Sequence, residues 1–313
     1  MKCQLNDSRI IEINDDVGTI SDFPAYIEVQ TASYCNSRCI ICPYPKIKSF
    51  IPMGKMKRLL WDKLLGEFEI NRAKIKNIEP YLNNEPFLDK DMLDLLYTLK
   101  PLGRYVEVST NLQNCSYELM DEIIKNRLID ELRCSIFGLS PESYKSIMGI
   151  DMNNVLEKLN YVALANKNAG SHLKIQLTMV LHDSFVSCDE LYKAKDLADE
   201  LGVCFKAYPY LDRAENNDFL TTKIISTKNK KVLGCKLGYI KDRLAIWHDG
   251  IVALCCQDWQ RQHVIGDLNK TSIRDLWHSP EMQNYRDSIY SGCEGISDLL
   301  CKKCALSIVE VIQ

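Results

Sequence analysis

Tyr34-Cys-Asn-Ser-Arg-Cys-Ile-Ile-Cys-Pro43 is the stretch from which the fold of this chain can be inferred. It places Cys35, Cys39 and Cys42 at the spacing C-x3-C-x2-C. A closed four-iron cluster needs one thiolate per iron, so a loop of three cysteines leaves one iron without a protein ligand. That open iron can bind a reactant. Half of a zinc site is the alternative, but zinc would need a further soft ligand, and no His, Asp or Glu lies between Cys35 and Cys42.

The composition is that of a folded protein with many cysteines. Hydrophobic residues make up 46% of the 313 residues, which is ample for a core and argues against disorder. The net charge of -3 gives no electrostatic reason to expect nucleic acid as a partner. The 14 cysteines cluster in two regions rather than being spread as disulfide staples, which favours metal binding.

The amino-terminal sequence lacks the basic and then apolar pattern of a secretory signal. No apolar run is long enough to span a bilayer. We therefore expect a cytoplasmic protein without a membrane partner.

Short apolar runs alternate with amphipathic stretches between Tyr26 and Tyr208, which predicts strand-helix units and a mainly parallel sheet. In the helical stretches, Ser187 with Glu190 forms a capping-box pattern and Gly202 marks a helix end. Six units predict an α/β fold in the form of a partial (β/α)6 barrel, with its chemistry at the carboxyl ends of the strands. The six predicted strands are residues 26–29, 75–81, 105–108, 131–136, 174–180 and 203–208.

The cysteine motif resembles that of the radical S-adenosylmethionine (radical SAM) enzymes. The resemblance implies that the amino and carboxylate groups of SAM fill the open iron position. One electron from the cluster then breaks the sulfonium bond and yields a 5'-deoxyadenosyl radical, which abstracts a hydrogen atom from a substrate. It also implies the incomplete barrel, and it places Ile41 where the family packs a hydrophobic residue on the adenine.

Further segments match the family at the ends of later strands. Asn83-Asn84-Glu85-Pro86 resembles the Gly-Gly-Glu-Pro element, which implies that Glu85 binds the ammonium group of SAM. Asn tolerates unusual backbone angles better than most residues, so it can replace the glycines. The remaining cofactor-binding residues implied by the resemblance are Ser109, Asn111 and Ser135, whereas Gln176 either faces the cofactor or lies in the sheet interior.

The carboxyl-terminal region has its own cysteine pattern. Alternating apolar residues around Asp249-Gly250 predict a β-hairpin. The region resembles the SPASM or twitch extensions of radical SAM enzymes, a small β-hairpin with a helix. The resemblance implies one auxiliary 4Fe-4S cluster, with Cys256 or Cys293 as substitute ligands and structural zinc as the open alternative. The implied ligands are Cys235, Cys255, Cys301 and Cys304.

These patterns predict three regions: an extension at residues 1–22, a radical SAM core at 23–215 and an auxiliary-cluster domain at 216–313. The implied cofactors are therefore SAM and two 4Fe-4S clusters, one of them SAM-binding. A flavodoxin- or ferredoxin-type protein is the expected electron donor.

Several residues are candidates for direct roles in catalysis. Cys204 and Cys256 can donate a hydrogen atom to a substrate radical if they face the cavity, whereas core packing is the expectation for Cys3, Cys115, Cys134 and Cys188. His248 is either a proton acceptor or structural. Substrate contacts are expected from Tyr208, Tyr210 and Arg213, or from Asp258 and Trp259.

Only about 25 residues precede the first predicted strand, whereas peptide-modifying relatives often carry an amino-terminal recognition domain. We therefore expect hydrogen abstraction from a small molecule, such as a sugar or an aminocyclitol, leading to dehydrogenation or epimerisation at a hydroxyl-bearing carbon. The alternatives are a maturase that modifies a peptide or protein side chain, and a metal-stabilised binding protein without turnover.

Overall fold

The computed structural model describes residues 19–181, 185–217, 230–292 and 295–311. The strands in these residues are β1 (Tyr26–Val29), β2 (Asn77–Glu79), β3 (Tyr105–Thr110), β4 (Glu131–Ser135), β5 (Lys174–Leu181), β6 (Cys204–Pro209), β7 (Lys230–Cys235), β8 (Arg243–Ile246), β9 (Ile251–Ala253), β10 (Val264–Asp267) and β11 (Ser307–Val311). The α-helices are α1 (Tyr44–Ile47), α2 (Arg58–Ile70), α3 (Met92–Leu99), α4 (Tyr117–Lys125), α5 (Pro141–Met148), α6 (Met152–Asn168), α7 (Cys188–Leu201), α8 (Ile273–Trp277) and α9 (Pro280–Tyr290).

The six strands predicted from apolar runs are present as β1 to β6, which confirms the predicted α/β class. The predicted start of α7 is also correct, because the Ser187 hydroxyl accepts from the Glu190 amide and the Glu190 carboxylate accepts from the Ser187 amide. The helix ends at Gly202, whose φ of 66° is the left-handed conformation that glycine adopts at little cost.

The chain divides into two compact units that interleave along the sequence. Among the described residues, the first unit contains residues 34–45 and 84–210. Its strands β3, β4, β5 and β6 pair in that order and are all parallel. Val108, Leu132 and Leu177 are fully buried and lie on adjacent strands, so they form the centre of this unit's core.

The second unit contains the described residues of 19–33, 46–83 and 211–311. Here β1 lies between β2 and β8 and is parallel to both. The antiparallel pairs β8 with β9 and β9 with β10 continue this sheet, and β7 pairs with β11 separately. Ile27 on β1 faces Ile78 and Leu244 in register, and all three are buried.

The predicted hairpin is formed by β8 and β9. Its turn is closed by the Gly250 amide, which donates to the Trp247 carbonyl at 2.8 Å. Gly250 has a φ of 87°, and a Cβ there would lie 2.6 Å from Asn269 Nδ2. The positive φ makes glycine the favoured residue at this turn, and a side chain there would also displace Asn269.

The predicted domain bounds stay a prediction, since the two compact units follow spatial clustering rather than chain order. Among the helices of the described ranges, none combines the length and the apolar character that a membrane crossing requires.

Candidate functional site

The loop with Cys35, Cys39 and Cys42 is held in the first unit by backbone hydrogen bonds. The Arg38 amide donates to the Met148 carbonyl at 3.0 Å, and the Ile40 amide donates to the Ile147 carbonyl at 2.9 Å. The carboxyl end of α5, where helix carbonyls lack intrahelical partners, thus supports the loop. Gly149 follows with a φ of 72°, and a Cβ there would lie 3.1 Å from Arg38 Cβ.

The three thiols have an environment that fits a cationic cluster. Burial raises the pKa of Cys35 to about 12, with Glu85 and Cys42 adding to the increase. Burial also raises the pKa of Cys39, and the neighbouring Cys42 and Cys35 raise it further. As thiolates these side chains would repel one another, so a positively charged iron core would compensate their charge.

Glu85 is 3% exposed at the start of the turn Pro86–Leu88. Its Oε1 accepts from Thr110 Oγ1 at 2.6 Å, and its Oε2 accepts from the Asn111 amide at 2.8 Å. Burial raises the pKa of Glu85 to about 7 despite these bonds. No cationic side chain in the described part of the chain forms an ion pair with Glu85, so the ammonium group of SAM fits this carboxylate.

The loop before Glu85 has the conformation that glycine favours. Asn83 has a φ of 56°, a left-handed conformation that Asn adopts more readily than most other non-glycine residues. This fits its place where the family has a glycine. Its side-chain amide donates to the Cys256 carbonyl at 3.3 Å within the second unit.

Asn111 is 6% exposed, and its side-chain amide donates to Asn36 Oδ1 and Ser37 Oγ, both at 2.9 Å. It therefore fixes the cysteine loop, in addition to any contact with a cofactor. Ser109 and Ser135 are half-buried near the carboxyl ends of β3 and β4, and Ile41 is buried in the cysteine loop.

Gln176 lies within the sheet of the first unit, and a contact with the cofactor stays a prediction. It is fully buried, and its amide donates to Thr178 Oγ1 at 3.0 Å and to the Tyr208 hydroxyl at 3.4 Å. Tyr208 is half-buried on β6.

A role for Cys204 as a hydrogen-atom donor stays a prediction, and its position argues against that role. Cys204 is exposed and begins β6, so it lies at the amino end of a parallel sheet. In such sheets ligands bind beyond the carboxyl ends of the strands. Cys115 and Cys134 are buried, as core packing predicts. Cys3 and Cys293 lie outside the described residues.

The second unit brings four cysteines to one enclosed cavity. Cys235, Cys255, Cys301 and Cys304 line it together with Leu237, Tyr239, Leu254, Gln257, Ile289, Leu300, Leu306 and Ser307. Burial raises the pKa of all four thiols, to about 11 for Cys304. Among the described residues, no three His, Cys, Asp or Glu side chains are drawn together closely enough to hold a single metal ion.

Cys256 follows Cys255 directly in the chain, but it is not among the described residues that line this cavity. Gln257 Nε2 donates to its sulfur at 3.3 Å, and the Tyr239 hydroxyl shares a hydrogen bond with it. Tyr239 lies 2.7 Å from both carboxylate oxygens of Glu28. This Cys256-Tyr239-Glu28 chain was not foreseen, because neither Tyr239 nor Glu28 belongs to a spaced motif.

Asp258 is 1% exposed, and both of its oxygens serve the backbone. Oδ1 accepts from the Gln262 amide and Oδ2 from the His263 amide, both at 2.8 Å. Asp258 therefore closes its loop, and its role in catalysis stays a prediction. Trp259 is buried beside it, and His248 is buried with Nδ1 2.9 Å from Gln30 Oε1, which favours a structural role.

Arg213 begins a strained turn. Arg213, Ala214 and Glu215 have φ values of 56°, 54° and 66°, a left-handed run that non-glycine residues rarely adopt. Asp212 Oδ1 accepts from the Ala214 amide at 3.1 Å and stabilises the turn. The Arg213 guanidinium is close enough to Cys256 to act on the charge of its sulfur.

The comparison with family models agrees with both cysteine sets. Residues 29–193 match the model of the radical SAM superfamily, which is more than half of the chain. This chain belongs to the radical SAM superfamily. Residues 235–305 of the radical SAM chain match the SPASM model, described as an iron-sulfur cluster-binding domain. The two matches confirm the predicted family membership. They also imply the cofactors of these families, which are SAM and 4Fe-4S clusters.

Among curated proteins, the radical SAM chain is 26% identical over 183 residues to the protein named "Probable GTP 3',8-cyclase" from Saccharolobus islandicus. The match covers 56% of this chain and 54% of that protein, so the chain spans about half the length of the curated relatives it matches.

Solved structures of similar fold cover more of the chain. BtrN in complex with AdoMet and 2-DOIA has a TM-score of 0.58 and 17% identity, covering 90% of this chain and 92% of that one. SuiB of Streptococcus suis bound to precursor peptide SuiA has a TM-score of 0.68 and 13% identity, covering 92% and 71% respectively. These radical SAM structures support the predicted partial barrel with a carboxyl-terminal extension.

Proposed function

We propose that this radical SAM enzyme acts on a hydroxyl-bearing carbon of a small molecule, such as a sugar or an aminocyclitol. Bound SAM and a reduced cluster would supply a 5'-deoxyadenosyl radical that abstracts the hydrogen atom of that carbon. Cys35, Cys39 and Cys42 would hold the SAM-binding 4Fe-4S cluster, and Glu85 would bind the ammonium group of SAM. Ile41, Ser109, Asn111, Ser135 and Gln176 remain proposed cofactor-site residues, Gln176 from within the sheet.

The observation that carries the choice between the two outcomes is the position of Cys256. It lies outside the auxiliary cavity and is held by Tyr239 and Gln257, so its thiol is not required as a cluster ligand. The side-chain amide of Asn83 donates to the Cys256 carbonyl at 3.3 Å and holds its backbone in place. This arrangement favours epimerisation, in which a cysteine returns a hydrogen atom to the opposite face of the carbon.

The atoms and electrons of this step balance with one external electron. The Cys256 S–H bond breaks, a C–H bond forms on the substrate radical, and a thiyl radical remains. One electron and one proton then restore the thiol. A flavodoxin- or ferredoxin-type protein would supply the electron through the auxiliary cluster, and the Tyr239-Glu28 pair would supply the proton.

We propose that Cys235, Cys255, Cys301 and Cys304 hold that single auxiliary 4Fe-4S cluster, the second of two in the enzyme. Four thiolates would satisfy all four irons. The cavity they line is otherwise largely apolar, which would shield the cluster from water.

Arg213 is the proposed anchor for the substrate. Its planar guanidinium suits a phosphate or carboxylate group because it donates two parallel hydrogen bonds. Arg213 lies on the left-handed turn and near Cys256. Backbone strain of this kind often occurs at functional sites, which supports this role. Tyr208 is a second proposed substrate contact.

The proposal is tested by incubating the reconstituted enzyme in D2O with SAM, a low-potential reductant and candidate sugars. Epimerisation predicts one solvent deuterium at the inverted carbon, because thiol protons exchange with water. Cys256→Ala should still form 5'-deoxyadenosine but no inverted product. Cys204→Ala, which removes an exposed thiol at the amino end of β6, is the matched control and should behave as the unsubstituted enzyme does.

Other results would contradict the proposal in distinct ways. A product two hydrogens lighter and free of deuterium would indicate dehydrogenation. A mass change confined to added peptides would indicate the maturase alternative, for which the TM-score with peptide-bound SuiB is the supporting observation. Failure to form 5'-deoxyadenosine with any substrate would favour a binding protein without turnover.

A further inference from the structure

Tyr144 on α5 carries a buried hydroxyl that the fold leaves unused. The side chain is fully buried, and its hydroxyl has no hydrogen-bond partner within the part of the chain that the structure describes. A buried hydroxyl without a hydrogen-bond partner is destabilising, so such a group calls for an explanation.

Of the three cysteines in the loop, Cys39 is the one that acts on the Tyr144 hydroxyl. Burial raises the pKa of Tyr144, and the charge of the Cys39 thiol raises it further, followed by Cys134, Asp151 and Glu85. The same helix holds the cysteine loop, since the Met148 carbonyl lies 4.0 Å from Cys39 Sγ. Tyr144 is thus fixed on the element that positions the ligand.

Another tyrosine beside this loop is already satisfied. The Tyr44 hydroxyl accepts a hydrogen bond from the Cys35 amide at 3.0 Å. The described chain provides a partner for the Tyr44 hydroxyl but none for the Tyr144 hydroxyl. The contrast indicates that a bound group provides the partner of Tyr144.

We propose that the Tyr144 hydroxyl donates a hydrogen bond to an inorganic sulfide of the cluster held by Cys39. Tyr144 would then be a positioning and tuning residue rather than a catalytic one. Hydrogen bonds to cluster sulfurs stabilise the additional negative charge of the reduced state and so raise the reduction potential. The inference rests on the proposed cluster at Cys35, Cys39 and Cys42, but not on the identity of the substrate.

The test is a redox titration of the holoenzyme. The titration is monitored through the electron paramagnetic resonance signal that changes when SAM is added. Tyr144→Phe keeps the ring and removes the oxygen atom. Its SAM-responsive cluster should become about tenfold harder to reduce, a shift of about 59 mV to lower potential for a one-electron couple. Tyr97→Phe, which removes an exposed hydroxyl bonded to Glu122, is the matched control and should not shift the potential.

A second measurement covers the case in which Tyr144→Phe assembles poorly. Incorporation of 3-fluorotyrosine at position 144 retains the shape and makes the phenol a stronger donor, so it should raise the potential. An unchanged potential in Tyr144→Phe at full iron content, or in the fluorinated protein, would overturn the inference. Loss of the SAM-responsive signal in the unsubstituted protein would instead contradict the proposed cluster.

Discussion

Glu85 illustrates how one buried carboxylate can remain available for a cationic ligand. Burial raises its pKa to about 7, whereas donors from Thr110, Asn111 and Phe87 favour its charged form. A positively charged ligand would complete this balance, because an opposite charge at close range stabilises the ionised carboxylate.

Glu85→Gln should therefore weaken SAM binding at least tenfold, which corresponds to about 1.4 kcal/mol. The variant keeps the size of the side chain and loses its charge. Equilibrium binding of SAM to the reconstituted enzyme measures the effect. Glu118→Gln, which alters an exposed carboxylate on α4, should leave the affinity unchanged, and equal affinities for both variants would contradict the assigned role.

Residue identities were predictable from sequence where spacing or a motif marks them. The cysteine loop and Glu85 are of this kind. Thr110, Tyr144 and Tyr239 were missed because their roles depend on neighbours that are distant in sequence. Cys204 lies at the start of the sixth strand both as predicted and as observed, whereas its exposure could not be predicted from the sequence.

Among the elements, the turn Arg213–Glu215 is the most strained. A left-handed conformation costs a non-glycine residue roughly 1–2 kcal/mol, and three consecutive residues adopt it here. Asn216 supports the turn, since its amide donates to the Arg213 carbonyl at 2.8 Å and to the Gln257 carbonyl at 3.2 Å.

Ala214→Gly should stabilise the protein by up to about 1 kcal/mol, because glycine adopts positive φ without a steric cost. Thermal or urea unfolding measures the difference. Ala165→Gly, the same substitution inside α6, provides a control of opposite sign and should destabilise by about 1 kcal/mol. Loss of the buried Ala214 methyl group opposes this gain. A loss of stability as large as that of Ala165→Gly would therefore show that the turn is not under strain.

Several of the strands and helices could be predicted from local sequence patterns, whereas this turn could not. Apolar runs predicted β1 to β6, and the capping box predicted the start of α7. The left-handed run could not be predicted, since Arg, Ala and Glu all favour other conformations. Contacts with Asp212 and Asn216, among others, hold it.

For the whole molecule, the two cysteine sets belong to different compact units. Both sets were predicted from the resemblance of their sequence motifs to those of radical SAM enzymes. The sequence did not predict that β1 and β2 would cluster with the carboxyl-terminal strands, because that grouping depends on long-range pairing between β1 and β8.

Cys301→Ala should lower the iron and sulfide content from about eight to about four of each per chain, because one of two four-iron clusters would be lost. The SAM-dependent change in the paramagnetic resonance spectrum should persist. Cys256→Ala should retain both clusters. If the unsubstituted protein contained zinc and only about four irons per chain, the structural-zinc alternative would be supported. Loss of iron in Cys256→Ala would show that Cys256 is a cluster ligand.

The parallel pairing of β1 with β8 limits how this protein can be dissected. A truncated version that ends before residue 243 would lack β8, and one side of β1 would become an open sheet edge with unpaired backbone groups. Such edges promote aggregation between molecules. Chimeras that graft this catalytic portion onto another enzyme should therefore retain the β8–β9 hairpin, even where the auxiliary cluster is not wanted.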